Sequence, residues 1–154
     1  MVPLEDGSNA KFGINGKTQI YGIFGFPIGH SLSPSMHNAA FKHLGVNAAY
    51  IPLSIPPDKL KEALKAIRIL GIRGLNITVP HKKNIMKFLD SLSEEAALIG
   101  AVNTVVVDND KLIGHNTDGR GFIKSLDEIG FNPRNKSFLI LGSGGAAQAI
   151  CVGI

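Results

Sequence analysis

Segments typical of buried strands alternate with segments typical of amphipathic helices along most of this 154-residue chain. At 58–70 the helical spacing places Leu60, Leu64 and Ile67 on one face, whereas 72–79 has the branched apolar residues and the length of a strand. Such alternation favours parallel strands joined by crossover helices. We therefore predict an α/β protein with a mostly parallel open sheet, flanking helices and an antiparallel hairpin at one edge.

The same patterns predict the individual elements. Strands are expected at 20–24, 49–55, 72–79, 102–107, 111–114 and 136–141. Helices are expected at 34–44, 58–70, 81–92 and 117–129, with a short helical piece ending at Ile99. The turn of the hairpin is predicted at Asn109-Asp110, and Gly130 is predicted to cap the helix at 117–129.

Composition places the chain among ordinary globular proteins, with 44% hydrophobic and 18% charged residues. The single cysteine, Cys151, cannot form an internal disulfide, and residues 1–18 contain no apolar signal-peptide core, so we expect a cytoplasmic protein. The net charge of +4 suits a small anionic ligand, but the basic residues are scattered. Nucleic-acid binding is not expected, because it needs a basic stripe with interleaved aromatic residues.

Residues 138–154 carry no charged side chain, and seventeen residues is the lower limit for a membrane-spanning helix. The interior of this run contains adjacent glycines, Gly144 and Gly145, which make a poor continuous helix. We therefore predict no membrane segment here.

The strand predicted at 72–79 leads to the first candidate site. Side chains alternate between the two faces of a strand. One face is therefore predicted to carry the apolar Leu75, Ile77 and Val79, and the other face the polar Asn76 and Thr78. Pro80 favours an extended residue before it and a helical turn after it, so Lys82 is predicted just past the strand's carboxyl end. Ligands of open α/β sheets bind at that edge. The alternative is an edge strand with a solvated face and a surface lysine.

Other polar side chains have both a structural and a functional interpretation. Ser33 is a natural helix N-cap before Pro34, yet the hydroxyls of Ser31 and Ser33 beside a helix N-terminus also suit a carboxylate. Asn103 is either a turn residue or a ligand contact at the start of a strand. Asp118 lies in the first turn of a predicted helix, where capping is the alternative to catalysis.

The residues after the strand at 136–141 form a tight glycine turn that opens a helix. Such a turn cradles a pyrophosphate in dinucleotide-binding folds, although it can also be a simple turn. A dinucleotide fold needs further strands and a ribose-binding residue, which the remaining sequence does not supply.

In their order and spacing from Ser31 to Ala147, these segments resemble the amino-terminal half of the shikimate dehydrogenase family. The resemblance implies that Ser31 and Ser33 hold the substrate carboxylate, and that Lys82 binds the substrate and works in catalysis with Asp118. Contacts to the ring hydroxyls are implied for Asn76, Thr78, Asn103 and Asp118. Binding of NADP is implied for the glycine loop, which comprises Gly142, Ser143, Gly144, Gly145 and Ala146.

The activity implied is the reversible, NADP-dependent oxidation of shikimate to 3-dehydroshikimate in the chorismate route to aromatic amino acids, with quinate as a second candidate substrate. Residues 1–18 are then expected to be a flexible extension, 19–119 the substrate domain, and 120–154 a connecting helix and the incomplete start of a Rossmann-type domain. We expect a truncated chain, because the family carries a complete nucleotide domain after the glycine loop. A homodimer is left open.

The main alternative to the enzyme is a non-catalytic module, which would bind shikimate or quinate but transfer no hydride. Two hydrolase functions have much less support. A metal hydrolase lacks support because the five histidines show no ligand-like spacing, so no metal is predicted. A serine hydrolase lacks its G-x-S-x-G elbow, since Ser143 lies in a different glycine pattern.

Overall fold

The computed structural model describes residues 13–154, which form one sheet with helices packed on its faces. The strands are β1 (Gln19–Gly25), β2 (Ala48–Ser54), β3 (Ile72–Ile77), β4 (Ser91–Leu92), β5 (Thr104–Asp108) and β6 (Lys111–His115). The α-helices are α1 (Ser33–Leu44), α2 (Leu60–Ile69), α3 (His81–Asn84), α4 (Glu94–Ile99), α5 (Asp118–Glu128) and α6 (Gly145–Gly153). Two short 3₁₀ helices lie at Pro57–Lys59 and Ile85–Phe88.

The six strands are arranged in the order β2-β1-β3-β5-β6-β4. β1 pairs in parallel with β2 and β3, and β4 pairs in parallel with β6, while β5 is antiparallel to β3 and to β6. The predicted α/β class is therefore confirmed, including the antiparallel hairpin. The two-residue strand β4 lies outside the hairpin and forms that edge of the sheet.

The main core lies on the sheet face covered by α2. This helix buries Leu60, Leu64 and Ile67, the three residues that its spacing predicted to face inward. They pack with Phe24, Leu75 and other buried residues of the central strands. A smaller cluster on the opposite face joins Ile23 and Tyr50 to Phe41 of α1. The central strands are thus buried on both faces, as parallel strands usually are.

The hairpin turns at Asn109 and Asp110, as predicted, and both residues have positive φ angles, 46° and 62°. The prediction of one helix over 81–92 is wrong, because α3 ends at Asn84 and a 3₁₀ helix and β4 follow. The backbone N–H groups of Asp90 and Ser93 donate to carbonyls of β6 instead of to a preceding turn. Pairing with the sheet therefore outcompetes the helix in this segment.

Two strand predictions also need correction. Val79 does not share the core face with Leu75 and Ile77; it is 70% exposed because β3 ends at Ile77 and the alternation ends with it. Residues 136–141 form no strand, and Leu139 and Leu141 are 86% and 88% exposed. Within residues 13–154 no neighbouring strand pairs with this segment, and an extended segment without a partner is not a β-strand.

The predicted flexible extension over residues 1–18 falls mostly on residues 1–12, which lie outside the described residues. From residue 13 onward the chain makes defined contacts, since Thr18 Oγ1 donates to Asn47 Oδ1 at 2.8 Å. At the other end, the uncharged run 138–154 contains the nine-residue helix α6. No helix among residues 13–154 has the length and apolarity of a membrane span.

Candidate functional site

Lys82 and Asp118 form an ion pair between α3 and the first turn of α5. Lys82 Nζ lies 2.6 Å from Asp118 Oδ2, and the two side chains are 19% and 27% exposed. The strand β3 and the turn at Pro80 bring Lys82 to the carboxyl end of the sheet, as predicted. The pair is therefore shielded from bulk water on most sides and reachable from one.

Asn103 ties this ion pair to the loop before β5. Its side chain is 8% exposed, and its Nδ2 donates to Asp118 Oδ1 at 2.7 Å and to Thr117 Oγ1 at 2.9 Å. Its Oδ1 accepts the backbone N–H of Thr117 at 3.0 Å. Both Asp118 oxygens thus have a donor, one from Asn103 and one from Lys82. The carboxylate is engaged by these side chains and does not cap α5.

Asn116 is a fully buried amide that sequence reasoning missed. Its Oδ1 accepts the backbone N–H of Asp118 at 2.9 Å, and its Nδ2 donates to the carbonyl of Ala101 at 2.9 Å. The signal was available, because an asparagine two residues before a helical aspartate favours this kind of turn. Asn116 fixes the backbone of Asp118 against the loop that carries Asn103.

Asn76 extends the network across the sheet. Its Oδ1 accepts a hydrogen bond from the hydroxyl of Tyr50 at 2.7 Å, and its Nδ2 donates to Thr104 Oγ1 at 3.3 Å and to the carbonyl of Asn103 at 3.4 Å. Tyr50 is 4% exposed, and burial raises its pKa to about 12. Sequence reasoning treated Tyr50 as part of an apolar strand and missed it.

Ser31, Ser33 and Thr78 lie at the carboxyl ends of β1 and β3, but no side-chain hydrogen bond among residues 13–154 joins them to the Lys82–Asp118 network. The predicted N-cap role of Ser33 is wrong. Ser33 is the first residue of α1, Leu32 occupies the cap position, and Ser31 Oγ accepts the N–H of Ser33 at 3.3 Å. The cap is shifted because the helix begins one residue before Pro34. The hydroxyls therefore lie beside the N-terminus of α1 without capping it.

The glycine loop lies directly against the ion pair. A Cβ added to Gly145 would lie 3.0 Å from Ala101 Cβ and 3.4 Å from Lys82 Cδ. Lys83 Nζ lies 3.5 Å from the carbonyl of Ser143. The structure thus brings together two predicted sites that are separated by sixty residues in sequence.

The loop also has the form that a phosphate needs. Gly142 has a φ of 127°, which favours glycine, and α6 begins after Gly144 with no side chain capping its first N–H groups. No described atom would contact a Cβ added at Gly142 or Gly144, so the loop is open on that side. Free N–H groups at a helix N-terminus fit the pyrophosphate of a dinucleotide such as NADP. Residues 13–154 contain no cluster of three or more side chains suited to a metal ion.

Comparison with known proteins gives consistent results. Residues 23–105 match the family model described as the shikimate dehydrogenase substrate binding domain. A shikimate dehydrogenase (NADP(+)) from Desulforamulus reducens is 54% identical over 140 residues, which cover 90% of this chain and 48% of that protein. The chain spans about half the length of the relatives that it matches.

Solved structures give the same result. A shikimate dehydrogenase crystallised with NADP+ superposes with a TM-score of 0.88 at 46% identity, over 92% of this chain and 49% of that one. Shikimate 5-dehydrogenase from Listeria monocytogenes, crystallised with shikimate and NAD, superposes with a TM-score of 0.85 at 46% identity. That match covers 90% of this chain and 48% of the Listeria protein.

Proposed function

Because the chain belongs to the shikimate dehydrogenase family by virtue of its substrate-binding domain, we propose that residues 19–119 bind shikimate for its reversible, NADP-dependent oxidation to 3-dehydroshikimate. The observation that carries this proposal is the Lys82–Asp118 pair. It is held at 2.6 Å, is backed by Asn103, and adjoins the glycine loop at Gly145. Residues 120–154 then supply the connecting helix and the first part of the cofactor site.

Substrate binding is assigned to Lys82 and Asp118 themselves and to the neutral groups around this pair. Ser31 and Ser33 would hold the substrate carboxylate, since hydroxyls beside the N-terminus of α1 stabilise one negative charge. The ring hydroxyls would contact Asn76, Thr78, Asn103 and Asp118. Asn76 and Thr78 lie at the carboxyl end of β3, Asp118 follows β6, and Asn103 precedes the antiparallel strand β5 at the same edge of the sheet. Several neutral donors and acceptors are needed to select one hydroxyl of a polyhydroxy acid.

Proton transfer is assigned to the ion pair. In the reducing direction, the ammonium of Lys82 donates a proton to the oxygen that becomes the alcohol, and Asp118 holds that ammonium in place. In the oxidising direction, the pair first releases one proton to water and then accepts the proton of the reacting hydroxyl. The loop from Gly142 to Ala146 would hold the cofactor, which would supply the hydride as NADPH or receive it as NADP+.

The proposal predicts the effect of removing the lysine. A chimera is made in which this chain is followed by the second half of the Desulforamulus reducens relative. Lys82→Met should lower its turnover by at least about 100-fold, the usual contribution of a positioned acid or base, with a smaller change in KM. Lys87→Met is the control, because Lys87 is exposed and lies over the Phe88 ring. Near-normal turnover of Lys82→Met would remove the lysine from the mechanism.

The same chimera distinguishes the enzyme from a non-catalytic binding module. A module would bind shikimate and produce no NADPH even when the second half is supplied.

Location in the cytoplasm fits the single cysteine, Cys151, and is part of the proposal. A homodimer remains a prediction, which light scattering of the purified chain tests.

A further inference from the structure

The hydroxyl of Tyr50 lies at the far end of the hydrogen-bond network that leads to Asp118. The ring is buried and stacks on His37, with 4.3 Å between ring centroids and 16° between planes. The hydroxyl is 2.7 Å from Asn76 Oδ1. A tyrosine hydroxyl is protonated at neutral pH and can therefore donate, and burial raises the pKa of this one further, to about 12.

The orientation of the Asn76 amide follows from its partners. The carbonyl of Asn103 has no proton to give, so the amide nitrogen of Asn76 must face it. The amide oxygen is then turned toward Tyr50, whose hydroxyl can donate. The opposite orientation would place two acceptors together at Asn103.

Counting hydrogen-bonding groups shows what Asn76 has left for a ligand. An asparagine side chain has two N–H donors and two acceptor positions on its oxygen. Both donors are used, on Thr104 Oγ1 and on the Asn103 carbonyl, and Tyr50 uses one acceptor position. One acceptor position on Oδ1 remains. Asn76 also lines an open groove of about 660 Å³ on the α1 side of the sheet, so the amide is accessible.

We propose that Tyr50 is a positioning residue whose hydroxyl fixes Asn76 as a hydrogen-bond acceptor for one ring hydroxyl of the substrate. This inference rests on the proposed function, because it takes the ligand to be a polyhydroxy ring acid. Without the Tyr50 hydroxyl the amide oxygen loses its buried donor, and the amide turns or moves. Asn76 then no longer distinguishes a ligand hydroxyl from a hydrogen at that position of the ring.

The test compares shikimate with its three mono-deoxy analogues, each lacking one ring hydroxyl. Their dissociation constants are measured by NMR titration on the 154-residue chain and on Tyr50→Phe. The wild-type chain should discriminate against one analogue by roughly three- to tenfold through Asn76, the range expected for one net hydrogen bond. The ratio compared is the dissociation constant of an analogue divided by that of shikimate. In Tyr50→Phe the ratio for this one analogue should fall toward one, while the ratios for the other two analogues stay unchanged.

Tyr21→Phe is the matched control. Tyr21 pairs with Tyr50 across β1 and β2, and its hydroxyl contacts Gln19, 3.0 Å away. This variant should keep all three wild-type ratios. Three unchanged ratios in Tyr50→Phe, or three ratios that fall together, would overturn the positioning role and leave the proposed function standing. Should the wild-type chain fail to bind shikimate at all, the proposed function itself is contradicted.

Should Tyr50→Phe prove unstable, Asn76→Leu tests the same assignment. Leucine has a similar volume but no amide, so the acceptor that Tyr50 is proposed to fix is absent. The ratio for that one analogue should fall toward one, and the ratios for the other two should stay unchanged. An undiminished ratio in Asn76→Leu would contradict the assignment of Asn76 as the acceptor.

Discussion

At the scale of single residues, the centre of the site is a chain of hydrogen bonds through neutral amides and hydroxyls that leads from Tyr50 to Asp118. Tyr50 donates to Asn76, Asn76 donates to Thr104, and Thr104 donates to Asn103. Asn103 and Lys82 then each donate to one oxygen of Asp118. A connected network of this kind favours one arrangement, because rotation of the Asn76 or Asn103 amide would leave a donor or an acceptor without its partner.

The buried hydroxyl of Tyr50 should give a measurable pH dependence of stability. Its pKa rises from 10.0 to about 12 on folding, so it stabilises the fold fully below pH 10 and loses that contribution as the pH rises toward 12. At neutral pH, Tyr50→Phe should cost about 1 kcal/mol in the free energy of unfolding. In denaturant titrations from pH 10 to 12, the difference between the free energies of unfolding of the two proteins should shrink and then change sign, because a rise in pKa from 10.0 to about 12 is worth more than one net hydrogen bond. A difference that stays constant over this range would contradict the buried environment.

Sequence reasoning named the residues of the ion pair and the amides Asn76 and Asn103, but it missed Tyr50 and Asn116. Lys82 and Asp118 are charged residues at element ends, where a functional role is easily suspected. Tyr50 and Asn116 differ, since a tyrosine in an apolar strand and an asparagine after a strand each have an ordinary structural explanation. Their roles depend on partners 26 and 15 positions away in sequence, which only the folded sheet brings together.

At the scale of elements, the position of the glycine loop depends on how closely α5 and α6 cross. A Cβ added to Gly119 would lie 2.6 Å from the carbonyl oxygen of Ala149, and one added to Gly153 would lie 3.1 Å from Gly119 Cα. Such a close approach is possible only without side chains at the crossing. The crossing sets where α6 begins, and therefore where the loop lies against Lys82.

Gly119→Ala should push the two helices apart. We expect a loss of about 1–3 kcal/mol in the free energy of unfolding, as for other overpacked contacts, and shifted NMR signals for residues 142–153. Gly121→Ala in the same helix is the control. No described atom lies within 4 Å of the added Cβ there, so the variant should gain roughly 0.5–1 kcal/mol from helix propensity. Equal effects of the two substitutions would contradict the close crossing.

A second element contact joins α2 to the hairpin through Asp90. Asp90 Oδ2 accepts the N–H of Leu112 at 2.6 Å and lies 2.5 Å from Arg68 Nη2. The Leu112 N–H, followed by the Arg68 guanidinium, lowers the pKa of Asp90. A carboxylate with a lowered pKa stabilises the fold above its unfolded value, and that contribution is lost as the pH falls through the folded value.

Asp90→Asn should therefore be less stable than the wild type at pH 7, by at most about 1 kcal/mol because the side chain is 41% exposed. The difference measured by thermal unfolding should begin to shrink below about pH 4, where the unfolded carboxylate becomes protonated, and should close at lower pH once the folded carboxylate is protonated as well. Asp58→Asn is the control, since Asp58 is 73% exposed and lies 3.7 Å from Lys59 Nζ. A difference that persists undiminished at pH 2 would contradict this assignment.

The elements that sequence predicted best are those whose stability is local or whose partners follow closely. The face of α2 and the turn at 109–110 depend on spacing and on residues that tolerate positive φ. The failures depend on pairing. Residues 90–93 join β6 although their pattern suits a helix, and residues 136–141 stay unpaired although their pattern suits a strand. Apolar pattern alone does not reveal whether a partner strand is present.

At the scale of the whole molecule, the strands that carry or adjoin the proposed substrate contacts belong to one sheet. The main hydrophobic cluster runs from β1 and α2 through β3 to β5 and β6. The glycine loop, by contrast, reaches this body through the crossing of α5 and α6 and the contact of Gly145 with Ala101 and Lys82. Binding of the substrate should therefore depend on the sheet more than on residues 120–154.

The most direct test is an NMR titration of the 154-residue chain, confirmed by intact mass, with shikimate. We predict weak, saturable binding, with signals changing around Ser31, Asn76, Asn103 and Asp118, and a loss of these changes in Asn103→Leu, which removes an amide that holds Asp118. A titration that leaves these signals unchanged at high shikimate concentration, or that changes them equally in Asn103→Leu, would contradict a shikimate site at the carboxyl edge of this sheet.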